Sequence, residues 1–393
     1  MSIWGFSENI LKEKGALDTA AEIYGQPAVW RKVYDKLKSE KPAIQNFLHE
    51  ALSNDKLQIV LTGAGSSAFI GLSLHGTFLR NFKKSISTIS TTDLVTHPTD
   101  YLSEDMPVML VSFARSGNSP ESVAAVTLAD QFCSKVYHLI ITCDAAGELA
   151  NYQTTSEKYV FVLPAEANDQ SLAMTGSYSG MLLAGLLIAR LNEIDQLETQ
   201  VALLQKYAAK LLNDYTADFK AIAELDFHRA VFLGSGPLFG TATEAHLKLQ
   251  ELTDGKVICK KDSFLGFRHG PKAVIDSKTL IFFLFSNQPY VLQYERDLAN
   301  SIIKSKKALY VTGLMESDIS LPGIEKAFEL SGGESLLQED FLPVCSIIPG
   351  QMLGFFKSLK LGLSPDSPSV SGAISRVVQG VIVYPLENQL HEH

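Results

Sequence analysis

Gln58-Ile59-Val60-Leu61-Thr62-Gly63-Ala64-Gly65-Ser66-Ser67 decides the fold, because the chain carries a second version of it from Ala230 to Gly240, AVFLGSGPLFG. In the first copy a short apolar run enters a glycine turn and then a segment of helical period, IGLSLHGTFLRNF, which reads as strand, tight turn and helix. The runs that follow repeat as well. VMLVSF from Val108 is answered by LIFFLF from Leu280, at the same separation as Ile59 from Val231. HLIITCD around Leu139 is answered by KALYVTG around Leu309, and YVFVLPAE around Val160 by CSIIPG around Cys345. Between these runs lie helical patterns, SPESVAAVTLADQF in the first half and ATEAHLKLQELTD in the second, so strand alternates with helix and the sheets are expected to be parallel. The expectation is an α/β chain of two tandem doubly wound, flavodoxin-like domains at 48–200 and 216–366. A helical segment at 1–47, a helical connection at 201–215 and a tail at 367–393 complete the plan.

A chain of 393 residues with 46% hydrophobic and 20% charged residues has ample core for two such domains. The stretch from Tyr178 to Phe219 bridges the halves without a proline or a Gly-Ser linker, so the halves are expected to pack firmly. PAVWRKVYDKLKS and PAIQNFLHEALS read as N-terminal helices, with no helix-turn-helix reader among them. A net charge of -9, from 43 acids against 34 Lys and Arg, is a poor footprint for nucleic acid and leaves room only for a local anion site. Cys133, Cys143, Cys259 and Cys345 form no CxxC pair, so neither a zinc site nor a disulfide framework is indicated. The start, MSIWGFSENILKEK, lacks the order of a signal peptide, and the longest apolar stretch, Met181 to Ala189, is too short for a bilayer. A cytoplasmic protein with no membrane partner is expected.

Two loops of the first half carry anion chemistry. Gly63-Ala64-Gly65-Ser66-Ser67 puts backbone N–H groups, two hydroxyls and a helix start at one place. Ala114-Arg115-Ser116-Gly117-Asn118-Ser119-Pro120-Glu121 does the same after the VMLVSF strand, with Pro and Glu opening the helix. Tight strand-helix packing and ordinary capping are the plain readings of these loops taken singly. Adjacent strand ends in a parallel sheet would bring both loops over one edge, where ligands of open α/β folds bind. A dinucleotide fingerprint wants a carboxylate about 20 residues past its glycines, and the nearest strand-end acid, Asp93, lies farther along. One compact phosphate suits the two loops better.

The second half keeps the turn but changes the side chains. Glu244, Lys248 and Glu251 fall on one helix face, a spacing that also suits a plain solvated ion pair. Arg268-His269-Gly270-Pro271 fixes a histidine on a turn-forming loop.

GAGSS together with SFARSGNSPES resembles the sugar isomerase, or SIS, family, whose duplicated phosphosugar domains match the two halves. TTDLVTHPTDYL, SFLGFRHGPKAVID and SPDSPSVSGAISRVVQGV are similar to the branch of galactosamine-6-phosphate deaminase/isomerases, also called tagatose-6-phosphate ketose/aldose isomerases. The resemblance implies that Gly65, Ser66, Ser67, Arg115, Ser116, Asn118 and Ser119 hold the 6-phosphate of an open-chain sugar. It implies that His269 opens the ring, reaching in from a neighbouring subunit of a homodimer or higher oligomer. Glu251 would move the proton between C2 and C1, and Lys248 would steady the developing enolate oxygen. Deamination of galactosamine 6-phosphate to tagatose 6-phosphate and ammonia is the implied reaction, without cofactor or metal. A plain tagatose-6-phosphate isomerase, a glucosamine-6-phosphate deaminase and a silent sugar-phosphate sensor remain open at this level. Met174, Thr175 and the loop from Phe264 to Arg268 are expected to line the pocket around C4. Two departures matter: Ala114 stands where many relatives have a hydroxyl, and Arg376 is the one basic side chain of the tail stretch where a related amidotransferase has a Schiff-base lysine. An imine to the protein is therefore not expected.

Overall fold

The computed structural model describes residues 2–378 and 380–386. The first sheet holds β1 (Gln58–Gly63), β2 (Ser85–Thr88), β3 (Val108–Ala114), β4 (Val136–Thr142) and β5 (Glu157–Val162). They are all parallel, in the order β2-β1-β3-β4-β5, with Ile59 beside Met109 and Met109 beside Tyr137. The second sheet, of β6 (Arg229–Leu233), β7 (Ile258–Asp262), β8 (Thr279–Leu284), β9 (Tyr310–Met315) and β10 (Lys326–Glu329), repeats that plan as β7-β6-β8-β9-β10. β3 and β4 are buried at every position, and so is β8, as parallel strands covered by helices on both faces must be.

The duplication is visible in single glycines. A Cβ on Gly63 would lie 2.7 Å from the Ser67 backbone, and one on Gly234 would lie 2.5 Å from the Leu238 carbonyl oxygen. Two residues further on, Gly65 and Gly236 share a φ of +56°. Both turns therefore need glycine at both places.

Two expectations change. CSIIPG is not a strand: Cys345 lies in a helical turn, Leu342–Ser346, and the run continues into a long helix, so the fifth strand of the second sheet is Lys326–Glu329 instead. A short apolar run reads equally as buried strand or buried helix, and Cys345, Ile347 and Ile348 are fully buried. The N-terminal helices are one helix, α1 (Leu17–Leu52), which runs through Pro27 and Pro42. Its cost at the prolines is offset by a buried face that includes Trp30, Tyr34 and Leu37, and Trp30 Nε1 donates to Ser179 Oγ at 2.9 Å.

The helices that matter to the site are α2 (Ser66–Phe82), α3 (Pro120–Phe132), α4 (Gly176–Ala189), α5 (Glu198–Asn213), α6 (Leu238–Leu252), α7 (Pro289–Ser305) and α8 (Ile348–Lys360). Every residue of α4 is buried. α6 belongs to the second half yet crosses α2 of the first so closely that a Cβ on Gly240 would lie 2.3 Å from Ser73 Oγ and 2.5 Å from the Phe69 carbonyl oxygen. On its other side Gly350 of α8 packs against Ala245. This wedge carries side chains of the second half to the strand ends of the first. One run, Glu339–Lys360, is long and apolar enough to cross a membrane, but 94% of its apolar window is buried inside the protein.

Candidate active site

β1 and β3 are neighbours, so their loops meet at one sheet edge. Gly65 starts α2, and Ser66 and Ser67 are its first two residues, both buried at its N-terminus. Ser119 caps α3, with its hydroxyl 2.6 Å from that of Ser122. Both helix starts border a cleft of about 190 Å³, and the N–H groups of Ser67 and Ser122 there donate to the carbonyls of Ala64 at 3.1 Å and Ser119 at 3.0 Å. Of the residues singled out in the sequence, Gly65, Ser66, Ser67, Arg115, Ser116, Ser119, Met174, Lys248 and Glu251 line it.

α6 contributes the reactive pair. Lys248 is 1% exposed; its Nζ lies 2.5 Å from Glu251 Oε2, 3.3 Å from Glu244 Oε1 and 3.2 Å from Ser66 Oγ. The spacing of these residues on α6 puts both carboxylates within reach of one ammonium, and the α2 crossing adds the serine. Burial works against charge on Lys248, but Glu244 and Glu251 outweigh it and hold its pKa above the usual value. Glu244 is fully buried, and that burial pushes its carboxyl up to about 7 although Lys248 pulls it down. Glu251 keeps 18% of its side chain exposed toward the cleft, so it can meet a substrate that Lys248 meets only from below.

Arg115 lines the cleft but spends its donors on main chain. Nη1 donates to the carbonyls of Ser171 at 3.3 Å and Leu172 at 3.0 Å, and Nη2 to the carbonyl of Arg376. Burial lowers its pKa, with Asp169 opposing. Arg376 in turn donates through Nε to the Asp169 carbonyl at 3.0 Å and through Nη2 to Asn168 Oδ1 at 3.1 Å. The sequence singles out Arg376 as the basic side chain of the tail but does not assign it to the site; Ser375, Arg376, Val377 and Val378 all line the cleft. Their place over the cleft comes from the fold, which returns the tail to Arg115.

Three expected site residues lie elsewhere. Asn118 is exposed and accepts the Glu148 N–H at 2.9 Å, which pins the loop beneath the cleft. Thr175 is fully buried and bonds Asp169 through its N–H at 2.7 Å and its hydroxyl at 3.0 Å. Asp169 also takes the N–H groups of Gly176 and Ser177, so this cluster caps α4 rather than meeting a ligand. His269 is exposed after the turn Phe264–Phe267 and does not line the cleft of its own protomer, nor does that turn.

Hydroxyl-bearing helix starts of one half face Lys248 and Glu251 of the other on a fold of the SIS-domain class, and the SIS domain family model matches residues 51–191. The chain is 42% identical over 381 residues to the D-galactosamine-6-phosphate deaminase AgaS of Shewanella sp. (strain ANA-3), covering 95% of this chain and 94% of that one. It is 39% identical to the protein of that name from Escherichia coli, over 93% of this chain and 95% of the relative. The crystal structure of tagatose-6-phosphate ketose/aldose isomerase from Escherichia coli superposes with a TM-score of 0.85 at 35% identity, over 94% of this chain and 97% of that one. The chain belongs to the AgaS family of D-galactosamine-6-phosphate deaminases.

Proposed function

We propose that this chain converts D-galactosamine 6-phosphate to D-tagatose 6-phosphate and ammonia, in the breakdown of galactosamine and N-acetylgalactosamine. The observation that carries it is the single cleft in which Ser66, Ser67, Ser116 and Ser119 face Lys248 and Glu251. The first unit, 48–200, supplies the phosphate site and the second, 216–366, the proton chemistry.

The 6-phosphate binds the hydroxyls and N–H groups at the two helix starts, which fixes the other end of the sugar near α6. Ring opening moves a proton from O1 to the ring oxygen and frees the C1 aldehyde. Glu251 takes the proton from C2 while O1 gains one, giving a C1 enol with nitrogen still on C2. The Lys248 ammonium stabilises the charge that develops on O1. Glu251 returns its proton to C1 as the nitrogen loses one, which leaves a C2 imine. Water adds to that imine, the C–N bond breaks and ammonia departs, the hydrolytic part of the reaction. A substrate with oxygen at C2 follows the same path and stops at the ketose; the isomerase name of the Escherichia coli structure favours that second reading.

His269, exposed and outside its own cleft, performs the ring opening in the cleft of a partner subunit, so the working unit is a homodimer or a higher homo-oligomer. Incubation with galactosamine 6-phosphate, glucosamine 6-phosphate and tagatose 6-phosphate, with ammonia and ketose both measured, tests the assignment. Ammonia in step with ketose, fastest from the galacto sugar, is expected. Ketose without ammonia from every amino sugar would overturn deamination in favour of isomerisation.

A further inference from the structure

α1 lies outside both sheets, yet one of its side chains reaches the loop that walls the cleft. Glu22, in the second turn of that helix, accepts the N–H of Gln170, the N–H of Ser171 at 3.1 Å and the Ser171 hydroxyl. Three donors of one loop thus end on one carboxylate. The carbonyls of the same loop make the next link. Those of Ser171 and Leu172 take Arg115 Nη1 at 3.3 Å and 3.0 Å, and Leu172 and Met174 line the cleft together with Arg115. Among the described residues every hydrogen bond of the Arg115 side chain goes to a main-chain carbonyl, so its place follows the loops around it rather than a partner carboxylate.

α1 is itself held still. One turn beyond Glu22, Gln26 Nε2 donates to Gln351 Oε1 of α8 at 2.7 Å, and Ser179 Oγ of α4 donates to Gln26 Oε1 at 2.7 Å. At the start of the helix Asp366 accepts the Thr19 N–H at 2.8 Å, while its own carbonyl accepts the Leu172 N–H at 3.0 Å. A helix anchored on α4 and α8 therefore passes its position to the cleft wall through Glu22.

We propose that Glu22 is a positioning residue for Arg115: it fixes the Gln170–Leu172 loop, the loop carbonyls fix the guanidinium, and the guanidinium meets the phosphate of the substrate. The inference rests on the reading that a sugar phosphate occupies this cleft. Hydrogen bonds rather than charge carry the link. Burial, with Asp169 adding to it, pushes the Glu22 carboxyl up to about 7, and the loop donors pull it back down. A group so poised serves the loop as an acceptor whether or not it is ionised. Misplacement of a binding group by about 1 Å is enough to cost on the order of 10²-fold in a site, so a slack loop is felt at the phosphate.

Phosphate binding by the full chain tests this without any turnover. In titration calorimetry with inorganic phosphate, Glu22→Ala should raise the dissociation constant on the order of tenfold, and KM for galactosamine 6-phosphate should rise alike while kcat stays within about twofold. A folded Glu22→Ala with unchanged phosphate affinity overturns the proposal. Two milder variants decide the matter even where alanine unfolds the chain. Glu22→Asp keeps the charge but stops one methylene short of the loop, and it should bind phosphate weakly; Glu22→Gln keeps the acceptor and the reach, and it should bind as the unchanged chain does. The reverse pattern makes charge the cause and overturns the positioning role. Arg115→Ala should weaken phosphate binding by itself, and Glu22→Asp added to it should cost nothing further, because the two act as one unit. A second, independent loss in the double variant would mean that Glu22 does not act through Arg115. Should the unchanged chain bind phosphate in this pattern but release neither ketose nor ammonia from galactosamine 6-phosphate, the positioning role stands and the proposed reaction falls.

Discussion

Glu251 is the residue on which the proposed chemistry turns, because its side chain keeps 18% exposure at the cleft while Lys248 and Glu244 are buried. Glu251→Gln keeps the size and the contact with Lys248 but cannot carry a proton. Turnover should fall by roughly 10²–10⁴-fold with KM little changed, read from ketose and ammonia release; full activity would remove Glu251 as the shuttle. Lys248→Met has a different signature. It strands the buried Glu244 carboxyl without its cation, and removing one member of a buried ion pair costs about 3–5 kcal/mol, so its melting temperature should fall well below that of Glu251→Gln. At this scale the sequence was legible where a residue acts through its own neighbours. Ser66, Ser67 and Ser119 sit at helix starts that the neighbouring glycines and proline mark, and Ser116 in the loop that leads into one of them. Asn118 and Thr175 have the same chemistry, but the partners that claim them, the Glu148 N–H and Asp169, are set by folding back of the chain. No local pattern tells a serine aimed at a ligand from a threonine aimed at a cap.

Among the elements, α6 is held by contacts that leave no room for growth. Gly240→Val would push a side chain into Ser73 and the Phe69 carbonyl, and overpacking of this kind costs about 1–3 kcal/mol. Because the crossing also sets the distance between Lys248 and Ser66, kcat should fall along with the melting temperature. A stable variant with full kcat would show that the crossing tolerates play. At the end of β8 the buried Glu295 takes the Ser286 N–H at 2.9 Å and has no partner for its other oxygen among the described residues. Burial pushes its carboxyl from 4.5 up to about 8, and Glu339 adds to the rise. The folded value lies above the unfolded one, so the native state binds the extra proton and stability falls as pH rises from about 4.5 to about 8. Glu295→Gln retains an acceptor without that loss: melting curves should coincide near pH 5, and the variant should melt higher at pH 8. Equal melting at both pH values would mean that the carboxyl ionises freely when folded. The elements themselves were mostly legible, since burial on both faces forces continuous apolar strands. The run at Cys345 was not, because a helix buried all round and a central strand draw on the same residues. Nor was the unbroken α1, where tertiary burial of Trp30 and Tyr34 overrides what Pro27 and Pro42 dictate locally.

For the whole molecule, repetition of strand order and of paired glycine turns made the architecture readable from one chain, down to the shared φ of Gly65 and Gly236. The roof over the cleft could not be read, because Ser375–Val378 acquire meaning only when the far end of the chain returns to Arg115. The halves also share more than a boundary. α4 is buried throughout, α6 is wedged between α2 and α8, and Trp4 Nε1 donates to the Leu212 carbonyl of α5 at 2.9 Å. Calorimetry should therefore show one cooperative transition rather than two; two separable peaks would mean that the wedge does not couple the halves. The hydrogen bond from Lys248 to Ser66 has its own consequence. Ser66 Oγ accepts from the Lys248 ammonium, which leaves its own O–H free to donate into the cleft, and that ammonium is itself tied to Glu251. One ammonium thus joins a helix start of the first half to a carboxylate of the second, so a change at Ser66 reaches Glu251 through a single side chain.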